Sequence, residues 1–463
     1  MNEILYIIYQ IIFYTVTIMF LYYTFLIIIG FLRFKKKYKM VEDKQKFCIF
    51  VPCHNEATVI GATVENLSKF TYNKILYDIY FIADNCSDDT VNEINNSIQK
   101  YQIPNFYVLE RNINNPKKKG KPHAINWAIN KLEEENCFYE KYNFAMILDA
   151  DNFADSNILE NVNSQYLSYK EKKRPVMIQT YLDSKNKNNL IARGYYVAYR
   201  CSNGFWQLSK HMIGLNPGIC GTGFAITTKF LKQLGGFICT SLTEDLEIQT
   251  IATLKGKRTA FNPYVRIYDE KPTGLNQSIV QKTRWAQGHW YVFFKYVPRL
   301  FISLFNFKQI NYFFRKIDVI FTLLAMFNYI SVIILLLFRT YFTFSDISFY
   351  VSPVFDYMIL IAAILSYLII PISSLYDGKA DEKKNILKDF IPNIIAFFIG
   401  TFTFVCSACI GLFKCGNQKV WKKTAHKVTA MKEQHSKKLQ KSKVLQNIDD
   451  LEEPIEILKT SHK

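Results

Sequence analysis

Acidic side chains are in short supply: 39 Asp and Glu face 57 Lys and Arg over 463 residues, leaving a formal net charge of +18. Such a deficit points to a polyanionic partner, either nucleic acid or the anionic inner face of a membrane. The basic residues flank apolar stretches instead of patterning one face of a soluble domain, which argues against nucleic acid. Charge of either sign is missing altogether from residues 4–32. That stretch also lacks a basic leader and a small-residue cleavage site, so it reads as an anchor and not as a removed signal peptide.

What the chain has in quantity is apolar surface, 49% hydrophobic and 16% aromatic. Residues 317–338, 353–376 and 390–413 are nearly as free of charge as 4–32. Each of these stretches exceeds the roughly 20 residues a helix needs to cross a bilayer. Arg33, Lys35, Lys36, Lys37 and Lys39 follow the first stretch, and no Lys or Arg precedes it. The positive-inside rule then puts the N-terminus outside and residue 33 onward in the cytoplasm. The expected division is a transmembrane anchor over 1–32 and a cytoplasmic domain over 33–290. An amphipathic surface segment over 291–316, with Pro298 inside it, precedes a transmembrane region over 317–413. A basic tail over 414–463 carries the interfacial residue Trp421 and ends as solvated chain. Four full crossings would place that tail outside, where the charge rule wants it inside. Either one stretch is a surface or re-entrant element, or the tail is an exception.

Between residues 45 and 290 the pattern changes. Apolar runs at 47–52, 78–83, 105–109 and 144–148 are each followed by a polar loop and a helical stretch. This rhythm predicts an α/β domain with a mostly parallel sheet, which takes its ligands beyond the carboxyl ends of the strands.

Chemistry-bearing residues fall at those ends. Pro52 closes the first strand, and Asn55 and Glu56 are placed to cap the next helix while its amides point at a ligand. After the second strand, Asp88 and Asp89 suit structural caps, whereas Asp84 precedes the cap and is free to accept the imide proton of a uracil. In the run Lys117 to Lys121, the first three lysines fit a solvated face; Lys121, in Gly-Lys-Pro at a helix start, fits a diphosphate contact. Asp149 and Asp151 lie two apart in extended chain and so face one ligand, hard oxygens suited to Mg²⁺ or Mn²⁺. Gly218 to Gly223 is either a close backbone approach or a tight turn. Thr243 is a plausible N-cap for Glu244 and Asp245; the pair serves the helix dipole or, at Asp245, a general base. Gln281, Arg284 and Trp285 share one helix face, offering a phosphate fork and a flat surface for a sugar ring.

In this order V-P-x-x-N-E, A-D-x-x-S-D-D-T, D-A-D, T-E-D and Q-x-x-R-W resemble glycosyltransferase family 2, in its membrane-bound branch of cellulose, hyaluronan and poly-N-acetylglucosamine synthases. The resemblance implies a GT-A fold, a UDP-sugar donor, Mg²⁺ or Mn²⁺, and inversion by direct displacement onto a glycan or lipid-linked acceptor. It implies donor contacts at Pro52, Asn55, Glu56, Asp84, Lys121, Asp149 and Arg284, and metal binding at Asp151 and Asp149. Asp245 with Glu244 is the expected catalytic pair, and Gly221, Thr222, Gln281 and Trp285 the expected acceptor contacts. It also places Cys53, Cys86 and Cys220 in the cytosol, where thiols stay reduced. Two departures matter: the C-terminal membrane region is short for a polymer channel, and no cyclic-dinucleotide module is visible. Transfer of one sugar to a lipid is the alternative to polymer synthesis, and nothing in the sequence names a protein partner.

Overall fold

The computed structural model describes residues 2–32, 38–113, 120–344, 353–378 and 383–418. The basic residues Arg33 and Lys35 to Lys37, the lysines 117–119 and the tail with Trp421 lie outside them. The chain starts with helix α1 (Asn2–Leu32) and enters a domain of alternating strands and helices: β1 (Phe47–Cys53), α2 (Ala57–Leu67), β2 (Tyr77–Asp84), α3 (Thr90–Tyr101), β3 (Phe106–Arg111), α4 (Lys121–Asn136), α5 (Phe138–Lys141) and β4 (Phe144–Ile147). There follow β5 (Phe153–Ala154), α6 (Ile158–Ser168), β6 (Met177–Ser184), α7 (Leu190–Cys201) and, after a π-helical turn, α8 (Leu208–Met212). Next come β7 (Phe224–Thr227), α9 (Thr228–Leu234), α10 (Glu244–Leu254) and β8 (Thr259–Asp269). Four long helices end the described chain: α11 (Leu275–Leu304), α12 (Phe313–Phe344), α13 (Pro353–Asp377) and α14 (Ile386–Lys414).

The eight strands form one sheet in the order β3-β2-β1-β4-β7-β6-β8-β5. The first four strands stand where the apolar runs predicted them and pair in parallel; β7 runs antiparallel between β4 and β6, and β6 and β8 are again parallel. β1 shows why its sequence is apolar throughout. Phe47, Ile49 and Val51 enter one core layer and Cys48 and Phe50 the other, all fully buried, as a strand covered on both faces requires. All carboxyl ends of the parallel strands therefore open on one side of the sheet.

Helix α11 runs through residue 290, the boundary expected from composition, without a break, and carries Pro298 inside it. Among the described residues three helical stretches are long and apolar enough to cross a membrane: Ile4–Leu32, Gln309–Tyr341 and Ile386–Lys414. The α/β domain is tied to α12 by a buried ion pair from α8, Lys210 Nζ to Asp318 Oδ1 at 2.7 Å, with Lys210 also donating to Thr322 and Tyr22 to Asp318. All ten cysteines are free, including Cys406 and Cys409, which sit three apart on α14.

Candidate active site

Two loops meet first at the tips of β1 and β2. Asn55 takes a positive φ of 57°, and its side chain accepts from Ser87 N at 2.7 Å and donates to Ser87 Oγ at 3.2 Å. The capping expected of Asn55 and Glu56 is not what forms. Ala57 N donates instead to Asp88 Oδ2, and Glu56 N to Thr90 Oγ1, so the second loop caps α2. Asp88 also accepts from Thr90 N, the structural role expected of it. Asp84 is buried, and its Oδ1 accepts from Arg111 Nη1 at 2.5 Å and Asn85 Nδ2 at 2.6 Å. Pro52 is half-buried near the end of β1.

The next layer is built on β4. Asp149 and Asp151 follow it, and Lys121, the first residue of α4, donates to Asp149 Oδ1 at 2.5 Å and to the Gly221 carbonyl at 2.7 Å. Lys121 also lies 3.8 Å from Glu244, and these anions raise its pKa despite burial. One ammonium thus joins three of the segments that the sequence singled out. Thr222 is engaged differently from expectation: its buried hydroxyl accepts from Asp149 N at 3.0 Å and donates to Asn152. It holds the loop of the two aspartates in place.

Gly221 has a φ of 78°, and a Cβ there would lie 3.4 Å from Asp245 Oδ2. The open turn and the close approach, alternatives in the sequence, are both present. Burial and the neighbouring Glu244 charge push the Asp245 carboxyl up to about 7; Glu244 is raised by burial as well, with Lys121 opposing. Cys220 next door is driven up to about 12 by burial and Asp245, so its thiol stays protonated. Thr243 occupies the N-cap position of α10, yet its hydroxyl makes no capping bond. It is where α11 closes in. A Cβ on Gly288 would fall 2.7 Å from Thr243 N, so only glycine lets α11 reach the start of α10.

That contact brings the Gln281 face of α11 to the site. Arg284 is lowered by burial and pulled back up by Glu244, Asp149 and Asp245, which places its guanidinium among the acids. Trp285 packs edge-on against Tyr195 at 5.9 Å. The Gln281 Oε1 atom is buried with no hydrogen-bond partner.

Three residues escaped the sequence reading. Lys185, past β6, donates to the Asp151 carbonyl, and burial lowers it to about 8. Asp269 ends β8, its Oδ2 held by Lys271 at 2.5 Å and its Oδ1 buried without a partner; burial raises it to about 6. Lys271 lies over the Tyr199 ring at 3.4 Å. The signal available was an acid at a strand end just before Pro272, but pairing β8 beside β6 was needed to see it. Asp149 and Asp151 fit a hard divalent cation by donor chemistry, since few protein oxygens leave positions for donor phosphates. Among the described residues no group of three or more His, Cys, Asp or Glu forms a fuller cage.

Residues 45–288 match the family described as glycosyltransferase like family 2. The probable glycosyltransferase YdaM of Bacillus subtilis (strain 168) is 25% identical over 298 residues, 61% of this chain and 66% of that protein. A poly-beta-1,6-N-acetyl-D-glucosamine synthase of Staphylococcus aureus (strain COL) is 23% identical over 252 residues, 54% of this chain and 55% of its own. The chain thus spans less than two thirds of the length of these relatives. In fold it resembles the mannosyltransferase PcManGT from Pyrobaculum calidifontis, solved with GDP-Man and Mn²⁺, at a TM-score of 0.52 and 15% identity, over 86% of this chain and 99% of that one. The GT-A fold and the family match agree with the motifs: this chain belongs to the family 2 glycosyltransferases.

Proposed function

We propose that the chain is an inverting, metal-dependent transferase that moves a sugar from a UDP-sugar onto a glycan acceptor at the cytoplasmic face of a membrane. The observation that carries this reading is Asp245, a carboxylate poised near neutrality beside Gly221 and next to the Lys121, Asp149 and Arg284 cluster. The acceptor hydroxyl attacks the anomeric carbon, the bond from that carbon to the diphosphate oxygen breaks, and Asp245 takes the hydroxyl proton. A base poised near the working pH supplies typically 10²–10⁴-fold. Arg284 and Lys121 face the departing diphosphate and offset its developing charge, and Asp84 selects the uracil. A Mg²⁺ or Mn²⁺ held by Asp149 and Asp151 would supply further neutralisation of that diphosphate. Trp285 offers its ring to the acceptor sugar. No carboxylate nucleophile is needed for a single displacement. A lipid-linked acceptor is the second reading, favoured by the nearness of apolar helices to the site.

We infer the membrane arrangement from contacts. From Asp318, tied to Lys210, to Arg339, paired with Asp356, α12 rises 21 residues, about 31 Å at 1.5 Å per residue, which matches a hydrocarbon core of about 30 Å. α13 returns over a similar length to Asp377, whose carbonyl accepts from Arg266 of β8. α14 behaves otherwise. Asp389 near its start pairs with Arg193, Thr403 accepts from Lys282, the Ala408 carbonyl accepts from Trp290, and Gln418 past its end accepts from Leu242 N. Polar bonds to the α/β domain at both ends and in the middle favour a helix that does not cross, although Phe404 and Ala408 also pack on α12. Three crossings by α1, α12 and α13 then keep the basic tail inside and remove the conflict in the charge rule.

Transfer from a panel of radiolabelled UDP- and GDP-sugars by purified protein in lipid, with and without Mn²⁺, tests the reading. Metal-dependent transfer from a UDP-sugar to a growing chain is the expected result. A single-sugar glycolipid product moves the acceptor to lipid, and transfer from GDP-sugars alone overturns the donor assignment.

A further inference from the structure

A second charged site lies at the opposite end of the sheet from Asp149. Pro175, just before β6, and Thr259, which opens β8, line a cavity of about 60 Å³ together with Lys173, His211, Arg258 and Arg315. That volume, measured as space for the centre of a water, is several times the roughly 10–15 Å³ one water needs. The ten lining residues include three permanent cations and no carboxylate. Among the described residues no ion pair joins Lys173, Arg258 or Arg315 to an acid.

Arg315 sets the character of the site. It is 8% exposed, its Nε donates to the Gly214 carbonyl at 2.8 Å, and its Nη1 is buried with no hydrogen-bond partner. A buried guanidinium with an idle donor costs stability unless a ligand completes it. The neighbouring Arg258 adds like charge, so the missing partner is an anion. Planar guanidinium forks match phosphate oxygens in pairs, and an exposed Lys173 at the rim adds a point charge. Arg315 stands in the first turn of α12, three residues before Asp318, at the inner end of that helix. The site therefore opens where the water-facing domain meets the membrane boundary.

We propose that this cavity binds a phosphate group, taken from an anionic lipid headgroup or from free phosphate, at a place separate from the transfer site. Occupation completes Arg315 and fixes the start of α12 against β6 and β8. The inference stands on the cavity and its cations alone and is independent of the transfer chemistry.

Thermal unfolding of the full chain in an uncharged detergent tests it, at constant ionic strength set with chloride. The probes are inorganic phosphate and dioctanoyl phosphatidic acid, with dioctanoyl phosphatidylcholine as control. A ligand that binds only the folded state raises the midpoint saturably. The wild type is expected to show this rise, with the apparent dissociation constant at least tenfold weaker in Arg258→Gln and in Lys173→Gln. Arg315 itself is left intact because it also holds the Gly214 carbonyl; Lys173 is exposed, so its variant keeps the fold. A response to both probes supports the site with free phosphate as ligand, and a response to phosphatidic acid alone supports it with lipid as ligand. Midpoints unmoved by either probe, or moved equally in wild type and both variants, overturn it.

Discussion

Of the three carboxylates in the first turn of α10, two that stand two residues apart have opposite fates. Glu247 is 1% exposed, yet it accepts from Thr240 N, Ser241 N, Lys295 and Tyr296, all at 2.8–2.9 Å, and its pKa is lowered. Asp245 accepts from Leu246 N and otherwise faces the Glu244 charge and buried surroundings, and is driven up to about 7. Burial opposes ionisation in both; the donors decide which group overcomes it. Glu247 belongs to the seam where α10 and α11 pack, and there its charge is matched by Lys295. Asp245 belongs to the open end of the sheet, and there one is left poised. The matched and the unmatched carboxylate stand in the same helical turn, two residues apart.

The largest expected effect comes from Asp245→Asn. It removes the proposed proton acceptor but keeps the shape, so transfer should fall about 10²–10⁴-fold. The midpoint of unfolding should stay level or rise, because a raised carboxylate is destabilising when ionised. Radiolabelled transfer and thermal unfolding on the same sample check both halves; a drop in both would make Asp245 a structural residue like its neighbour. Glu247→Gln should do the reverse. It leaves Lys295 without its anion and weakens four hydrogen bonds, a loss of about 2–4 kcal/mol. Thermal unfolding should fall by several degrees while kcat per folded molecule changes less than twofold. Third comes Gly221→Ala. A φ of 78° strains any residue with a Cβ by about 1–3 kcal/mol, and the methyl would come into contact with Asp245 Oδ2. Turnover should fall about tenfold or more, with the acceptor KM moving more than the donor KM.

How much of this was legible in the sequence depends on range. The strands β1 to β4 were legible because each is a continuous apolar run ending in a motif, and parallel pairing follows from the helices between them. The placement of Asp84 and Asp149 at strand ends was legible because each follows an apolar run, and Asp245 because Thr243 marks a helix start. Lys121 was legible as the start of a helix but not as the bridge between Asp149, Gly221 and Glu244, which are far apart in sequence. Lys185 and Asp269 were missed because their meaning depends on β8 lying beside β6 across a reversal at β7. The cap was misread at Asn55, since the acceptor that wins, Asp88, belongs to the neighbouring loop and not to the local chain; Thr243 stands at the expected N-cap position without a side-chain bond. α14 has the composition of a membrane span, and only its bonds to Arg193, Lys282 and Trp290 reveal the domain it lies against.

The smallest effect is the most discriminating, because pH moves the two carboxylates in opposite senses. With Asp245 at about 7, the ionised fraction falls about tenfold per pH unit below that value, and kcat/KM should fall with it. Stability runs the other way over the same window. Asp245 is raised above its ordinary 3.8, so the folded state binds the extra proton between about pH 4 and 7, and its contribution to stability is lost as pH rises through 7. Glu247 is lowered, so its contribution is present above the ordinary glutamate range and lost only as pH falls through its depressed value. Other acids at the site are raised too, Asp269 among them, so the informative quantity is a difference. Subtracting the Asp245→Asn unfolding profile from the wild type should leave a slope of about 1–3 kcal/mol between pH 5 and 8 that favours the acidic side. A flat difference would mean that Asp245 ionises as easily in the fold as in the open chain, and the acid limb of the rate profile would then belong to Glu244 or Asp269.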